Sequence, residues 1–190
     1  SELFGIEQYV EMALQYQRLD SETTDFVFEE TDLDEIIRTS VRKYARQFIA
    51  KKISMSYEPV ETTVITDKKW LSFVIEQVIS NAKTGGIKIY LEDGDGTMSV
   101  PVQKASHRKE DDGENSGMKS VRLVIEDTGI GIRAEDLPRI CEMGYTGCNG
   151  HEGQHSSGIG LYLCSRILKK LGHTFSITSK EGVGTVVKIG

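Results

Sequence analysis

Two glycine-rich boxes constrain this chain of 190 residues more than any other feature. Residues 124–131 read Val-Ile-Glu-Asp-Thr-Gly-Ile-Gly, and residues 156–161 read Ser-Ser-Gly-Ile-Gly-Leu. The first closes an apolar run, Val121–Ile125, of the kind that forms a buried strand, and Asp127 stands where that strand should end. The second opens an apolar-periodic stretch, Ile159–Leu171, with helical spacing. Backbone without side chains lets a ligand approach closely. A helix N-terminus offers free N–H groups and positive potential to phosphates. The pair predicts a nucleotide held largely by main chain, one box at the base and the other at the phosphates.

Composition excludes several other classes. Hydrophobic content of 38% and charged content of 27% suit a globular chain long enough for one domain plus a short extension. The net charge of −6 argues against duplex nucleic acid as a partner. No apolar run reaches the ~18 residues of a membrane span, and Ser1–Leu19 is amphipathic and acidic, unlike a signal peptide. If the chain is a piece of a larger protein, its parent can still be anchored in a membrane. Cys141, Cys148 and Cys164 are an odd number, which favours free thiols in a reducing compartment. Cys148, His151 and His155, with Cys141 or Cys164, offer zinc-ligand chemistry, but their spacing matches no zinc module. A mobile glycine-rich loop that happens to contain them is the expectation.

Along the chain, Leu3, Ile6, Val10, Leu14 and Leu19 have helical spacing and end at a polar break, 20–24. Such a lone leading helix has little of its own to bury against, so it reads as the tail of an upstream helical element. Phe26–Phe28 reads as a short strand. Thr31 or Asp32 then caps a helix through Leu33, Ile36, Ile37, Val41, Tyr44, Ala45 and Phe48. Ile53–Tyr57 and Val64–Thr66 read as strands, and Asp67 caps a second long helix. Ile87–Leu91 is a strand, Asp93–Gly96 a hairpin turn, and Met98–Val102 its return strand. Residues 103–118 are polar and read as a long exposed loop. A strand at 119–126, a short helix near Ala134–Ile140, a glycine-rich segment at 144–158, a helix at 159–171 and strands Thr174–Ser179 and Thr185–Ile189 complete the pattern. Hairpins mixed with helices predict helices stacked on one face of a mixed sheet.

Gln77 and Asn81 stand at i, i+4 and share one face of the second long helix. A neutral amide oxygen facing a pocket can ligate magnesium while the nucleotide supplies the charge; both residues can equally be ordinary polar groups at a helix end. Asp127 can be a turn-former after a strand, or an acceptor for the exocyclic amine of adenine, where guanine presents a carbonyl. Gly129-Ile-Gly131-Ile-Arg-Ala134 also fits a dinucleotide fingerprint. That fold, however, requires a strand soon afterwards, ending in an acidic residue, and here a glycine-rich loop follows.

Four pieces stand in order: Gln77-Val-Ile-Ser-Asn81-Ala, Asp127-Thr-Gly-Ile-Gly131-Ile, Ser157-Gly-Ile-Gly-Leu161 and Gly182-Val-Gly-Thr185. Over roughly residues 26–189 they resemble the N, G1, G2 and G3 boxes of the GHKL ATP-binding superfamily. Most closely they resemble the catalytic domain of bacterial sensor histidine kinases. Ser157–Lys170 and residues 67–81 are similar to the intramembrane-sensing kinases of peptide-antibiotic defence. The resemblance implies an α+β fold of Bergerat type, a two-layer α/β sandwich with three long helices on one face of a mixed sheet.

It further implies ATP and Mg2+ as cofactors. Asn81 would lie on the metal, Asp127 on adenine, Gly129 and Gly131 beneath the ring, the N–H groups of Gly158, Ile159, Gly160 and Leu161 on phosphates, and Thr185 near the base. Lys83, Ile132, Tyr145, Thr146 and Ser157 complete the candidate nucleotide contacts, and Gln77 joins Asn81 as a catalytic candidate. The flexible lid would span about 143–158. Residues 1–22 would be the end of a dimerisation helix with its linker, and 23–190 the catalytic domain.

Members that hydrolyse ATP, such as the gyrase and Hsp90 types, carry Glu four residues before the box Asn; this chain has Gln77, and an amide cannot act as general base. Two departures are visible. The junction Ala82–Gly86 is short, places Lys83 one position early and lacks an aromatic. The expected Phe near the lid is replaced by Cys141-Glu-Met143. His107, His151, His155 and His173 lack the setting of a phospho-accepting histidine and read as surface residues. The reading is a kinase fragment that phosphorylates a histidine outside this chain. Its partners would be the phosphotransfer domain of the same protein and a response regulator, and its parent a membrane-anchored homodimer with this domain in the cytoplasm. The alternatives are a degenerate module that only transmits conformation, and a GHKL ATPase.

Overall fold

The computed structural model describes residues 2–20, 26–60, 62–82, 84–101, 118–147 and 157–190. Helix starts follow the capping chemistry of the sequence. Asp32 ends strand β1 (Glu29–Asp32) and accepts hydrogen bonds from the Asp34 (2.9 Å) and Glu35 (3.3 Å) N–H groups at the start of α2 (Leu33–Lys51). Asp67 caps α3 (Lys68–Asn81) by accepting from Trp70 N–H. The last long helix, α4 (Gly160–Leu171), ends on Gly172 in the left-handed region (φ 77°).

Five strands form one sheet in the order β2 (Ser54–Tyr57), β4 (Gly86–Pro101), β5 (Met118–Asp127), β7 (Gly184–Ile189), β6 (Phe175–Lys180). β2 and β4 are parallel and the other neighbours antiparallel, so the sheet is mixed. β1 pairs separately with β3 (Thr63–Thr66). The register builds rows of side chains across the strands. One row runs Tyr57, Ile89, Ile125, Val187, Ile177 and a neighbouring one Leu91, Leu123, Ile189, Phe175. These rows share a single apolar core with Leu33, Ile36, Ile37, Tyr44 and Phe48 of α2, Leu71, Ile75 and Ile79 of α3, and Leu163, Ile167 and Leu168 of α4. The helices therefore cover one sheet face. The other carries polar rows such as Lys188 and Glu92, which pair at 2.7 Å.

Several expectations need correction. Phe26–Phe28 is not a strand. Val27 N–H donates to the Asp67 carboxylate (2.9 Å) and Phe26 lies 5.5 Å from the Trp70 ring, so this segment is fastened to the start of α3 and pairing begins only at Glu29. Asp93–Gly96 does not reverse the chain. Asp93 and Met98 both stand opposite Val121, so the intervening residues bulge out and β4 resumes along the same partner, anchored by the buried Met98. The expected helix near Ala134–Ile140 is a turn and a 3-10 helix, Leu137–Arg139, with Pro138 inside it. Of the loop expected at 103–118, only Met118 is described, and it begins β5.

The leading helix α1 (Glu2–Asp20) finds more to pack against than its sequence promised. Leu19 is fully buried, Tyr16 faces Tyr162, and Lys170 Nζ donates to the Leu19 carbonyl (2.9 Å). Its stripe of Ile6, Val10 and Leu14 stays exposed and borders an open groove of about 500 Å3 together with Gln15, Arg18 and Lys69. Among the described residues no helix is long and apolar enough to cross a membrane.

His173 is not a surface residue either. It is buried beside Thr66, with Nε2 3.0 Å from the Thr66 hydroxyl, and burial pushes its pKa below 6.5. A depressed histidine contributes stability that is complete above the unfolded-state value and is lost as pH falls through the lower folded value. The His173→Gln variant should therefore show a shallower loss of stability between about pH 6.5 and pH 5 than the parent chain. Urea unfolding across that interval measures it, and parallel pH profiles would contradict the assignment.

Candidate functional site

The sheet register extends one row beyond the apolar ones, and there the chemistry changes. Ile87 faces Asp127, Asp127 faces Thr185, and Thr185 faces Ser179. Asp127 thus lies on the helix-covered side of the sheet, at its end. Burial raises its pKa above 3.8, against hydrogen bonds from Gly129 N–H and from Thr185 that favour the ionised form. The Gly129 bond is 2.8 Å. Ser179 Oγ accepts from Ile132 N–H (2.8 Å), donates to the Gly184 carbonyl (2.8 Å) and lies 2.9 Å from the Thr185 hydroxyl. This serine welds the first glycine box to the β6–β7 turn, and inspection of the sequence did not single it out. The two-residue period of β6, which puts Ser179 in line with Phe175 and Ile177, is the signal that could have found it.

The glycines divide by what they touch. A Cβ on Gly184 (φ +140°) would lie 1.9 Å from the Asp127 carbonyl, so only glycine lets β7 meet the end of β5. Gly131 is buried and backs onto the Lys180 carbonyl, so it packs against the β6–β7 turn. Gly129 lies between the Asp127 carboxylate and the Thr84 carbonyl. The short junction after α3 therefore runs beside the first glycine box, and Gly86 N–H donates to the Thr128 hydroxyl (2.8 Å). Lys83 lies outside the described residues.

The second box gathers around α3 and α4. Gly160, the first residue of α4, packs against Gln77: an added Cβ would lie 2.9 Å from the Gln77 amide oxygen. Asn81, one turn further along the same face of α3, is exposed. Glu76 points away and pairs with Lys43 at 2.5 Å. The N-cap residue of α4 is Ile159, whose side chain provides no cap, so it leaves the first-turn N–H groups without a side-chain acceptor of its own. Ser157 Oγ accepts from Ile159 N–H (3.3 Å) and donates to Met12 Sδ of α1 (3.7 Å). Ile159 packs on the core and Leu161 is half-buried. Gly144 N–H donates to the Gly158 carbonyl (3.0 Å), joining the two ends of the glycine-rich segment. Thr146 is half-buried, and Tyr145 directs its hydroxyl to Asp136.

No trio of His, Cys, Asp or Glu suited to a metal exists among the described residues. Cys164 is buried in the core, 4.0 Å from the Val74 carbonyl, and burial raises the pKa of both Cys164 and Cys141, which keeps them as thiols. Cys148, His151 and His155 lie outside the described residues, as does His107.

Residues 66–190 match the family described as histidine kinase-, DNA gyrase B- and HSP90-like ATPase. The chain belongs to this family. Its curated relatives include the sensor histidine kinase YxdK of Bacillus subtilis, 35% identical over 98% of this chain and 53% of that protein. They also include the sensor protein BceS of Halalkalibacterium halodurans, 29% identical over 97% of this chain and 49% of that protein. The chain thus spans about half the length of the relatives it matches. Among solved structures, full-length ShkA in complex with AMPPNP superposes with a TM-score of 0.70 at 18% identity, over 95% of this chain and 34% of that one. The catalytic domain of the histidine kinase ThkA superposes at 0.63 with 20% identity, over 86% and 94%. The fold is therefore that of histidine kinase catalytic domains, the two-layer sandwich that the four boxes imply.

Ser179→Ala removes one acceptor and one donor from a half-buried network, which should cost about 1–3 kcal/mol without altering the sheet register. A fall in urea midpoint with an unchanged m-value checks this; a neutral substitution would mean that Ser179 does not bind the two turns together.

Proposed function

We propose that this ATPase-family chain is the ATP-binding catalytic portion of a sensor histidine kinase, and that it transfers the γ-phosphoryl group of ATP to a histidine outside these residues. The observation that carries the reading is the contact between Gly160 and Gln77. It sets the uncapped N-terminus of α4 against an amide where hydrolysing members have a carboxylate. An amide holds the geometry of the phosphate end but cannot take a proton from water. That suits an enzyme that must conserve ATP until an imidazole arrives, and it disfavours the ATPase alternative.

In this reading Asp127 accepts the exocyclic amine of adenine, with Thr185 and Gly129 orienting the carboxylate. The α4 N–H groups of Gly160 and Leu161, with Gly158 and Ile159 before them, hold the phosphates through main-chain donors and the helix dipole. Asn81 offers one neutral, exposed oxygen on the Gln77 face. That fits Mg2+, which retains several waters and takes its charge balance from phosphates. The ion, when bound, would supply charge neutralisation. The protein's own contribution is positioning.

The phosphotransfer domain of the same protein and a response regulator are the proposed partners. ThkA, which shares this fold, was solved in complex with the response regulator TrrA. The exposed stripe of Ile6, Val10 and Leu14 and the half-length coverage of the relatives support α1 as the end of a dimerisation helix. They also support residues 23–190 as the catalytic domain, within a membrane-anchored homodimeric parent that holds this part in the cytoplasm.

Titration with a non-hydrolysable ATP analogue should show saturable, Mg2+-enhanced binding, and the same preparation should not sustain ATP hydrolysis. Absence of binding at millimolar analogue would favour the degenerate-module alternative. Asn81→Ala should abolish the Mg2+ enhancement while adenosine binding persists; an enhancement that survives would refute the metal role. Because Asp127 is held above the ordinary carboxylate value, adenosine affinity should fall on acidification before an ordinary aspartate would titrate, as the ionised acceptor is lost. Asp127→Asn should bind more weakly, by about 1–3 kcal/mol, and lose that pH dependence. Equal pH profiles for the two proteins would sink the base-reading role.

A further inference from the structure

Asp136 is a buried carboxylate for which the proposed chemistry has no use. It is 7% exposed and stands immediately before the 3-10 helix Leu137–Arg139, yet its side chain does not cap that helix. A carboxylate taken out of water must be satisfied by donors. Asp136 Oδ1 accepts the Tyr145 hydroxyl at 2.5 Å, and Oδ2 faces Gly147, where an added Cβ would lie 3.2 Å away. The Arg139 guanidinium lies 4.3 Å from the centroid of the same Tyr145 ring. Residues 145–147 are thus wrapped around one carboxylate.

What this clamp holds is the approach to α4. Tyr145 follows Gly144, whose N–H donates to the Gly158 carbonyl. At Gly158 (φ +65°) a Cβ would lie 2.5 Å from the Gly144 carbonyl carbon and 2.7 Å from the Tyr145 nitrogen, so the two backbones are in direct contact. Gly160 opens α4 two residues later. A short path of packed backbone therefore connects the Asp136 carboxylate to the N–H groups placed at the phosphates.

We propose that Asp136 is a positioning residue for the phosphate end of the nucleotide site: through Tyr145 it fixes Gly144 against Gly158 and so sets the start of α4. This rests on the nucleotide reading given above. Among the described residues the side-chain hydrogen bond of Asp136 goes to Tyr145 and not to the Asp127 row, so its effect should fall on the phosphates and spare the base.

The test compares Asp136→Ala, Asp136→Asn and Tyr145→Phe in the full chain, with adenosine and a non-hydrolysable ATP analogue as separate probes and amide hydrogen exchange as a readout that needs no nucleotide. Asp136→Ala and Tyr145→Phe should each weaken the triphosphate analogue about tenfold, as expected for losing a hydrogen bond to a charged group, and leave adenosine unchanged. Combined, they should cost no more than either alone, because both break one link. Asp136→Asn keeps an acceptor oxygen and should restore most of the affinity. Exchange at the Gly144 and Gly160 amides should accelerate in Asp136→Ala. Equal losses for both probes, additive losses in the double variant, or unchanged amide exchange would each overturn the proposal. Failure of the unmutated chain to bind either probe would instead overturn the nucleotide reading, and this assignment with it, even if the amides remain coupled to Asp136.

Discussion

The alternating register of the five-stranded sheet places a charged row directly after the apolar ones. Ile125, Val187 and Ile177 bury against the helices, and two residues further along the same strands Asp127, Thr185 and Ser179 stand side by side on that same face. A strand repeats its side-chain direction every second residue, so packing the apolar row commits the polar row to the helix-covered edge. A slip by one residue would turn Asp127 outward and the core residues with it. The carboxylate therefore inherits its position from the hydrophobic core, and its raised pKa is a consequence of that burial.

The phosphate end depends on a different contact, between two helices. α3 and α4 share the core through Leu71, Ile75, Leu163 and Ile167, and at the start of α4 Gly160 lies close against the Gln77 amide, where an added Cβ would come within 2.9 Å of its oxygen. Glu76, its neighbour, turns aside to Lys43 of α2. The amide is thereby the polar group presented to the start of α4. α1 reaches the same place, with Met12 Sδ against Ser157, so the leading helix and the second glycine box are in contact.

Much of this was readable in one dimension. Capping aspartates, apolar periodicity and glycine boxes located α2, α3, α4 and five of the seven strands within a residue or two of their bounds, because each depends on contacts within a few residues. The failures share a cause. Phe26–Phe28 has strand-like residues, but Val27 N–H is taken by Asp67, forty residues away. Asp93–Gly96 has turn chemistry, but β5 is long enough to pair with both flanking segments. His173 looked like an ordinary polar residue at a strand start, and burial beside Thr66 comes from a partner in β3.

The sequence by itself determined the family, the α+β class and the four boxes, together with the substitution of an amide for a catalytic carboxylate at Gln77. These are matters of residue type and local spacing. Only the tertiary structure decided that Thr185 stands between Asp127 and Ser179, that Gly131 supports a turn, and that Tyr145 is held by Asp136. Those contacts join residues six to fifty-eight positions apart, and side-chain direction across strands and between helices is set by how the layers pack.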